Sequence, residues 1–191
     1  HGLPDDAVVF CCFNVARKID PATFGRWMAI LRRVEGSVLW LLPDSDAVLA
    51  TLRDEAAGQG IEPARLIAAP RTDPLTHVSR GALADLFLDT FICNAHTTAS
   101  DALWSGLPVL TCPGETFASR VAASIVSAAG LDELVCDSPD AYEDTAVALA
   151  HDPDRLAALR QRLMETREIC PLFDTAALVR DLEAAFTEMI A

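Results

Sequence analysis

The triplet His96-Thr97-Thr98, with Asp101 three residues beyond the second Thr, is the segment of this sequence best equipped for chemistry. It follows an apolar run and opens a helical one. A helix that begins just past a buried strand directs free backbone N–H groups at the place where α/β proteins hold phosphates. Loops at the carboxyl ends of parallel strands form the ligand crevice of such folds. A polar triplet followed by a carboxylate fits a nucleotide better than a free phosphate. Thr98-x-x-Asp101 also fits a capping box, with Thr98 as the cap and Asp101 reaching back to a backbone N–H. That alternative accounts for both residues without a ligand, and it leaves His96 and Thr97 unexplained.

Lys18 lies in the loop after the first apolar run, FNVARKIDP, and is the only Lys against fourteen Arg. At that edge an ammonium can neutralise a phosphate; a solvated loop Lys is the plainer alternative. His77 and Arg80 stand one helical turn apart and so share a face. An imidazole beside a guanidinium suits a nucleobase, and a surface pair on an amphipathic helix is the alternative. Pro113-Gly114-Glu115-Thr116 reads as a turn into a helix, with positive φ expected at Gly114, capping by Glu115 and Thr116, and an acidic partner for Arg120. His151, near a helix end, is expected to serve only the helix dipole. HExxH, GxSxG, GxxxxGK[ST] and GxGxxG are all absent, which removes the zincin, α/β-hydrolase and P-loop readings.

The elements that must position these residues alternate regularly. Short continuous apolar runs predict strands at 7–13, 37–42, 65–69, 85–88 and 108–111, with a sixth at 133–136. Helical spacing, Pro starts and Gly stops predict helices at 21–34, 46–57, 73–83, 98–104, 116–129, 139–150, 153–167 and 175–190. This alternation predicts an α/β fold, a Rossmann-like, doubly wound parallel sheet with C-terminal helices, in one domain spanning residues 1–191. The chain has 191 residues, half of them hydrophobic, and a formal net charge of −13. That charge argues against a nucleic-acid partner, while a single anionic ligand can still be held by a local cluster of donors. Six cysteines without CxxC or metal spacing are expected to be reduced core thiols, and a cytoplasmic setting follows. No apolar run is long enough for a membrane span, and no signal-peptide pattern occurs. The abrupt HGLPDD start gives the expectation of a piece of a longer protein.

The motifs FN-x-x-x-KIDP (13–21), SVLWLL (37–42), HV-x-RG-x-LAD (77–85), LDT-x-x-CN-x-HTT-x-x-D-x-LW-x-G-x-P (88–108) and PGET-x-ASRVAAS (113–124) run in order along the chain. YED-x-AV-x-L (142–149) and PLF-x-T (171–175) continue the series. With them the sequence resembles the C-terminal catalytic lobe of the O-GlcNAc transferase/SPINDLY glycosyltransferases, including their bacterial members. The resemblance implies the donor-binding half of a GT-B enzyme, using UDP-GlcNAc or, in SPINDLY-type fucosyltransferases, GDP-fucose. It implies that Lys18 contacts the donor diphosphate, that His77 stacks on the base with Arg80 against it, that His96, Thr97 and Thr98 bind diphosphate and sugar, and that Asp101 accepts from the ribose. It further implies metal-independent transfer to Ser/Thr hydroxyls of an acceptor protein, no cofactor, and a first catalytic lobe and TPR repeats elsewhere in the parent protein. Two positions depart from the family pattern. Val15 stands where the family carries Gln, and Asp73-Pro74 where it carries a Lys. A degenerate, non-catalytic interaction module and a sugar-nucleotide epimerase are the competing readings.

Overall fold

The continuous apolar runs form strands buried on both faces, as parallel sheets covered by helices require. In the computed structural model, which describes residues 2–190, these are β1 (Val9–Cys12), β2 (Val38–Leu41), β3 (Leu66–Ala68), β4 (Leu86–Leu88) and β5 (Val109–Leu110). All pairings are parallel, in the order β3-β2-β1-β4-β5. Chain order reverses between β1 and β4, which pair Phe10 with Leu86 and Cys11 with Phe87. A crevice opens at the carboxyl edge of such a reversal, because the two connections leave the sheet in opposite directions.

The helices are α1 (Pro21–Arg33), α2 (Asp46–Gly58), α3 (Pro74–Ser79), α4 (Thr97–Trp104), α5 (Val121–Ala128), α6 (Pro139–Ala150), α7 (Pro153–Thr166) and α8 (Thr175–Ile190). Their starts follow the expected chemistry. The Asp20 carboxylate accepts from the N–H groups of Ala22 and Thr23 at the head of α1, and Ser138 and Asp152 cap α6 and α7 before their Pro residues. α1 packs on α6 through Trp27, whose indole N–H donates to the Tyr142 hydroxyl at 3.2 Å; both side chains are fully buried. Arg65 ties the end of α1 to the start of β2 by donating to the carbonyls of Leu31, Val34 and Ser37 and to the Ser37 hydroxyl, at 2.7–2.9 Å. α8 buries none of its residues, and Leu178, Leu182, Phe186 and Met189 all lie exposed along it.

Three expectations need correction. The predicted strand at 133–136 is a single parallel bridge, Thr111 to Val135, because residues Asp132–Leu134 close into a 3-10 turn just before it. The predicted helix 116–129 is a 3-10 turn (Phe117–Ser119) followed by α5; Arg120, at φ −124°, breaks the continuity. The predicted helix 73–83 likewise divides into α3 and a 3-10 turn at Arg80–Leu83. There Gly81 lies so close to α4 that a Cβ would come within 3.0 Å of the Ser105 Cβ.

Candidate functional site

Two loops meet at the reversal point. The first follows β1, runs through Asn14 and turns in a 3-10 helix at Ala16–Lys18. The second follows β4, from Asp89 to the start of α4. Lys18 Nζ crosses between them and donates to the Asn94 carbonyl at 2.6 Å, using one of its three N–H bonds. Asn94 in turn donates to the Thr90 carbonyl at 2.6 Å. The ammonium is therefore tied to the loop that leads into the N-terminus of α4.

The capping-box alternative is not what the fold builds. His96 is the residue before α4, and no side chain caps the helix. Thr98 sits inside the first turn, and its hydroxyl donates away from the helix, to Asn14 Oδ1 at 2.6 Å. Asp101 does not reach back to the backbone; it shares a narrow cleft with Phe13, His77 and Thr98. Among the described residues no acceptor occupies the backbone N–H groups of Thr97 or Thr98. This helix end is therefore open, with its dipole and its free donors facing the crevice.

His77 meets Phe13 edge to face, with ring centroids 5.5 Å apart, and its Nδ1 is bonded to Arg80. Burial and the neighbouring guanidinium hold the His77 ring below the usual histidine range, with Asp101 acting the other way. Burial and the guanidinium both favour the neutral ring. Arg80 points inward: it is 3% exposed, donates to the Pro70 carbonyl at 2.7 Å, and lies over the rings of Phe13 and Trp40 at 5.1 and 6.0 Å. It fixes His77 and the loop before α3 from below.

At the far side of the crevice, His96 faces the Ala118 carbonyl at 3.4 Å and the ring of Phe117 at 6.3 Å. The PGET segment forms a capping box between Thr116 and Ser119, and Glu115 takes no part in it. Gly114 does not have the positive φ expected of it. Its lack of a side chain matters because a Cβ would lie 2.6 Å from the Ser119 hydroxyl. The acidic partner expected for Arg120 is not found among the described residues; Arg120 instead lines an apolar groove with Phe117, Val121 and Ile125. That groove is wider than the cleft at His77, but it holds little polar chemistry and flanks the site rather than forming it. His151 caps the end of α6. Asp73 caps α3 through the Thr76 N–H, so the Asp73-Pro74 pair starts a helix.

Three polar residues at the base of the site escaped the sequence reading. Asp89, Asn14 and Asn94 are all buried, and their bonds join segments about 75 residues apart in sequence. Asp89 accepts from the N–H groups of Thr90 and Ala95 at 2.8 and 2.6 Å, and from the Thr111 hydroxyl at 2.8 Å. Burial pushes its carboxyl up to about 7, against the pull of those donors and of Lys18. A polar residue at the end of an apolar strand was the one available signal, and it is a weak one.

Parallel sheet, reversal point and open helix end define the class: a Rossmann-like lobe of the GT-B glycosyltransferase type. The chain belongs to glycosyl transferase family 41, whose family model matches residues 1–182. It is 42% identical over 190 residues to the probable UDP-N-acetylglucosamine–peptide N-acetylglucosaminyltransferase SEC of Arabidopsis thaliana, covering 99% of this chain and 19% of that protein. It is 31% identical over 194 residues to the probable UDP-N-acetylglucosamine–peptide N-acetylglucosaminyltransferase SPINDLY of Solanum lycopersicum, covering 98% of this chain and 20% of that one. A solved O-GlcNAc transferase from Thermobaculum terrenum, the K341M mutant, superposes with a TM-score of 0.91 at 29% identity, over 98% of this chain and 38% of that one. The chain thus spans about a fifth of the length of these curated relatives. Membership of this family sets the epimerase reading aside.

Proposed function

We propose that this chain is the donor-nucleotide lobe of a protein O-glycosyltransferase that transfers GlcNAc from UDP-GlcNAc to Ser or Thr hydroxyls with inversion. The observation that carries this reading is the convergence of Lys18 with the uncapped N-terminus of α4. The activity for which the SEC relative is named supports the choice of donor. The diphosphate would accept from the N–H groups of Thr97 and Thr98 and from Lys18. His77 would stack on the base, held there by Arg80, and Asp101 would accept from the ribose. His96 would lie against the sugar-phosphate linkage.

As the glycosidic bond to the donor breaks, negative charge grows on the departing diphosphate. Fixed donors at a helix end and one ammonium stabilise that charge without reorganising. Transfer by this route calls for no metal or other cofactor. The proposed partners are the sugar nucleotide, an acceptor protein, and a first catalytic lobe with TPR repeats in the parent protein. The isolated chain is expected to bind nucleotide weakly and to transfer nothing.

Calorimetric titration with UDP and with GDP tests the reading. Saturable binding with preference for UDP is expected. Preference for GDP would move the donor to GDP-fucose and a SPINDLY-type fucosyltransferase. A folded sample that binds neither nucleotide would overturn the donor-lobe reading in favour of a non-catalytic interaction module, the reading that Val15 and Pro74 favour. Neither of those residues offers the polar group that the family pattern has there. Turnover of UDP-GlcNAc by the isolated chain would contradict the expected inactivity.

A further inference from the structure

Beneath the crevice, Asp89 connects the loops that carry its edge. Its side chain has no exposed surface, so it touches no ligand itself. Oδ1 accepts from the Thr90 and Ala95 N–H groups at 2.8 and 2.6 Å and from Asn14 Nδ2 at 3.4 Å. Oδ2 accepts from the Thr111 hydroxyl at 2.8 Å. These donors come from the segments that follow three neighbouring strands of the sheet, β1, β4 and β5. From Asp89 two short routes lead to the crevice. Along one, Asn14 Oδ1 accepts from the Thr98 hydroxyl at 2.6 Å, which pins the first turn of α4. Along the other, the bonded Ala95 N–H belongs to the same peptide unit as the Asn94 carbonyl, and that carbonyl accepts from Lys18 Nζ at 2.6 Å.

We infer that Asp89 is a positioning residue of the nucleotide site: through Asn14 and Thr98 on one side, and Ala95 and Asn94 on the other, it sets the distance between the Lys18 ammonium and the free N–H groups of α4. This rests on the donor-nucleotide reading and extends it to a residue outside the ligand's reach. A diphosphate bridging an ammonium and a helix end needs both in place together. The peptide unit 94–95 is shared, so a tilt that breaks the Asp89–Ala95 bond also moves the acceptor of Lys18. A group that joins both halves through hydrogen bonds to a common carboxyl keeps them in register where separate supports would let them drift.

The test titrates UDP, with GDP in parallel, into the wild-type chain and into Asp89→Asn, Asp89→Ala and Leu149→Ala. Asparagine keeps the Oδ1 acceptor for Asn14, Thr90 and Ala95, and the Thr111 hydroxyl turns to accept from its Nδ2. Its affinity is therefore expected within roughly threefold of wild type. Alanine leaves those donors unpaired and frees the loop, with a loss of roughly tenfold or more. Leu149 lies fully buried in α6; its truncation lowers the melting temperature yet is expected to keep affinity within about twofold. That contrast separates positioning from a general loss of stability.

If Asp89→Ala binds as wild type does, if Asp89→Asn falls as far as Asp89→Ala, or if affinity simply tracks melting temperature across all variants, the positioning role is overturned while the nucleotide site stands. If the wild-type chain binds neither nucleotide, both fall together. Should Asp89→Ala fail to fold, Thr111→Val carries the test. A loss of roughly fivefold or more supports the role, and affinity within about twofold of wild type overturns it.

Discussion

Replacing Lys18 by Met removes one charge while keeping most of the side chain's length, and the structure fixes what that change should cost. Nζ donates to the Asn94 carbonyl at 2.6 Å, which leaves two N–H bonds for a diphosphate at the head of α4. A hydrogen bond to a charged group contributes about 1.5–3 kcal/mol. Each 1.4 kcal/mol is about tenfold in affinity. The side chain is only half-buried, so solvent screening moves the expectation to the lower end, about 10- to 30-fold weaker UDP binding. UDP should lose more than UDP-GlcNAc, because its terminal phosphate carries the charge that the donor acquires only as its bond breaks. If the proposed transfer holds, the same substitution in a longer protein that carries it out would lower kcat further than donor affinity. Calorimetry with both ligands at two salt concentrations measures the effect, and the wild-type advantage should shrink at the higher salt. Equal UDP affinity in the variant and the wild type, in samples with the same melting temperature, would refute the argument.

Asp89 also predicts a pH dependence of stability with a definite sign. Its carboxyl is raised from 3.8 to about 7 in the fold, so the folded protein binds a proton that the unfolded chain releases. That contribution is complete below about pH 4, declines by about 1.4 kcal/mol per pH unit up to about 7, and is flat above. Lys18, Cys12 and Tyr142 are the titratable groups that face it. Urea titrations of wild type and Asp89→Asn across pH 4–8 should show the difference between them changing in this way; a constant difference would show that Asp89 does not titrate there. Arg65→Ala should cost roughly 2–4 kcal/mol in the same assay, because the carbonyls of Leu31, Val34 and Ser37 lose their shared donor. A cost under about 0.5 kcal/mol, the scale of a neutral surface change, would show that water replaces the guanidinium without penalty.

The sheet was legible because each strand is a continuous apolar run bounded by turn residues; β1 to β5 all fall within the predicted segments, trimmed at their ends. The helix starts were legible for a similarly local reason, since Asp20, Ser138 and Asp152 act within three or four residues of themselves. What failed was decided at longer range or by backbone shape. A lone bridge at Thr111–Val135 has the apolar pattern of a strand without its ladder, and the turn at Phe117–Ser119 is set by the Thr116–Ser119 bonds rather than by hydrophobic spacing. The candidate site divides in the same way. Lys18, His77 and the His96–Asp101 segment declare themselves by type and position. Asn14, Asp89 and Asn94 do not, because a buried polar side chain is explained by its partners, and these partners come together only when β1 and β4 pair.

The isolation of α8 has a consequence for how the chain unfolds. None of its 16 residues is fully buried, so little packing energy couples them to the sheet. A lone helix of that length is only marginally stable in water. Hydrogen exchange should therefore divide the molecule at the α7–α8 junction. Amides of β1, β2 and α1 would exchange only on global opening, whereas those of α8 would exchange through local fraying orders of magnitude sooner. The cooperative unit is thus shorter than the chain. Leu172 and Phe173, packed against the core, are its last anchor points.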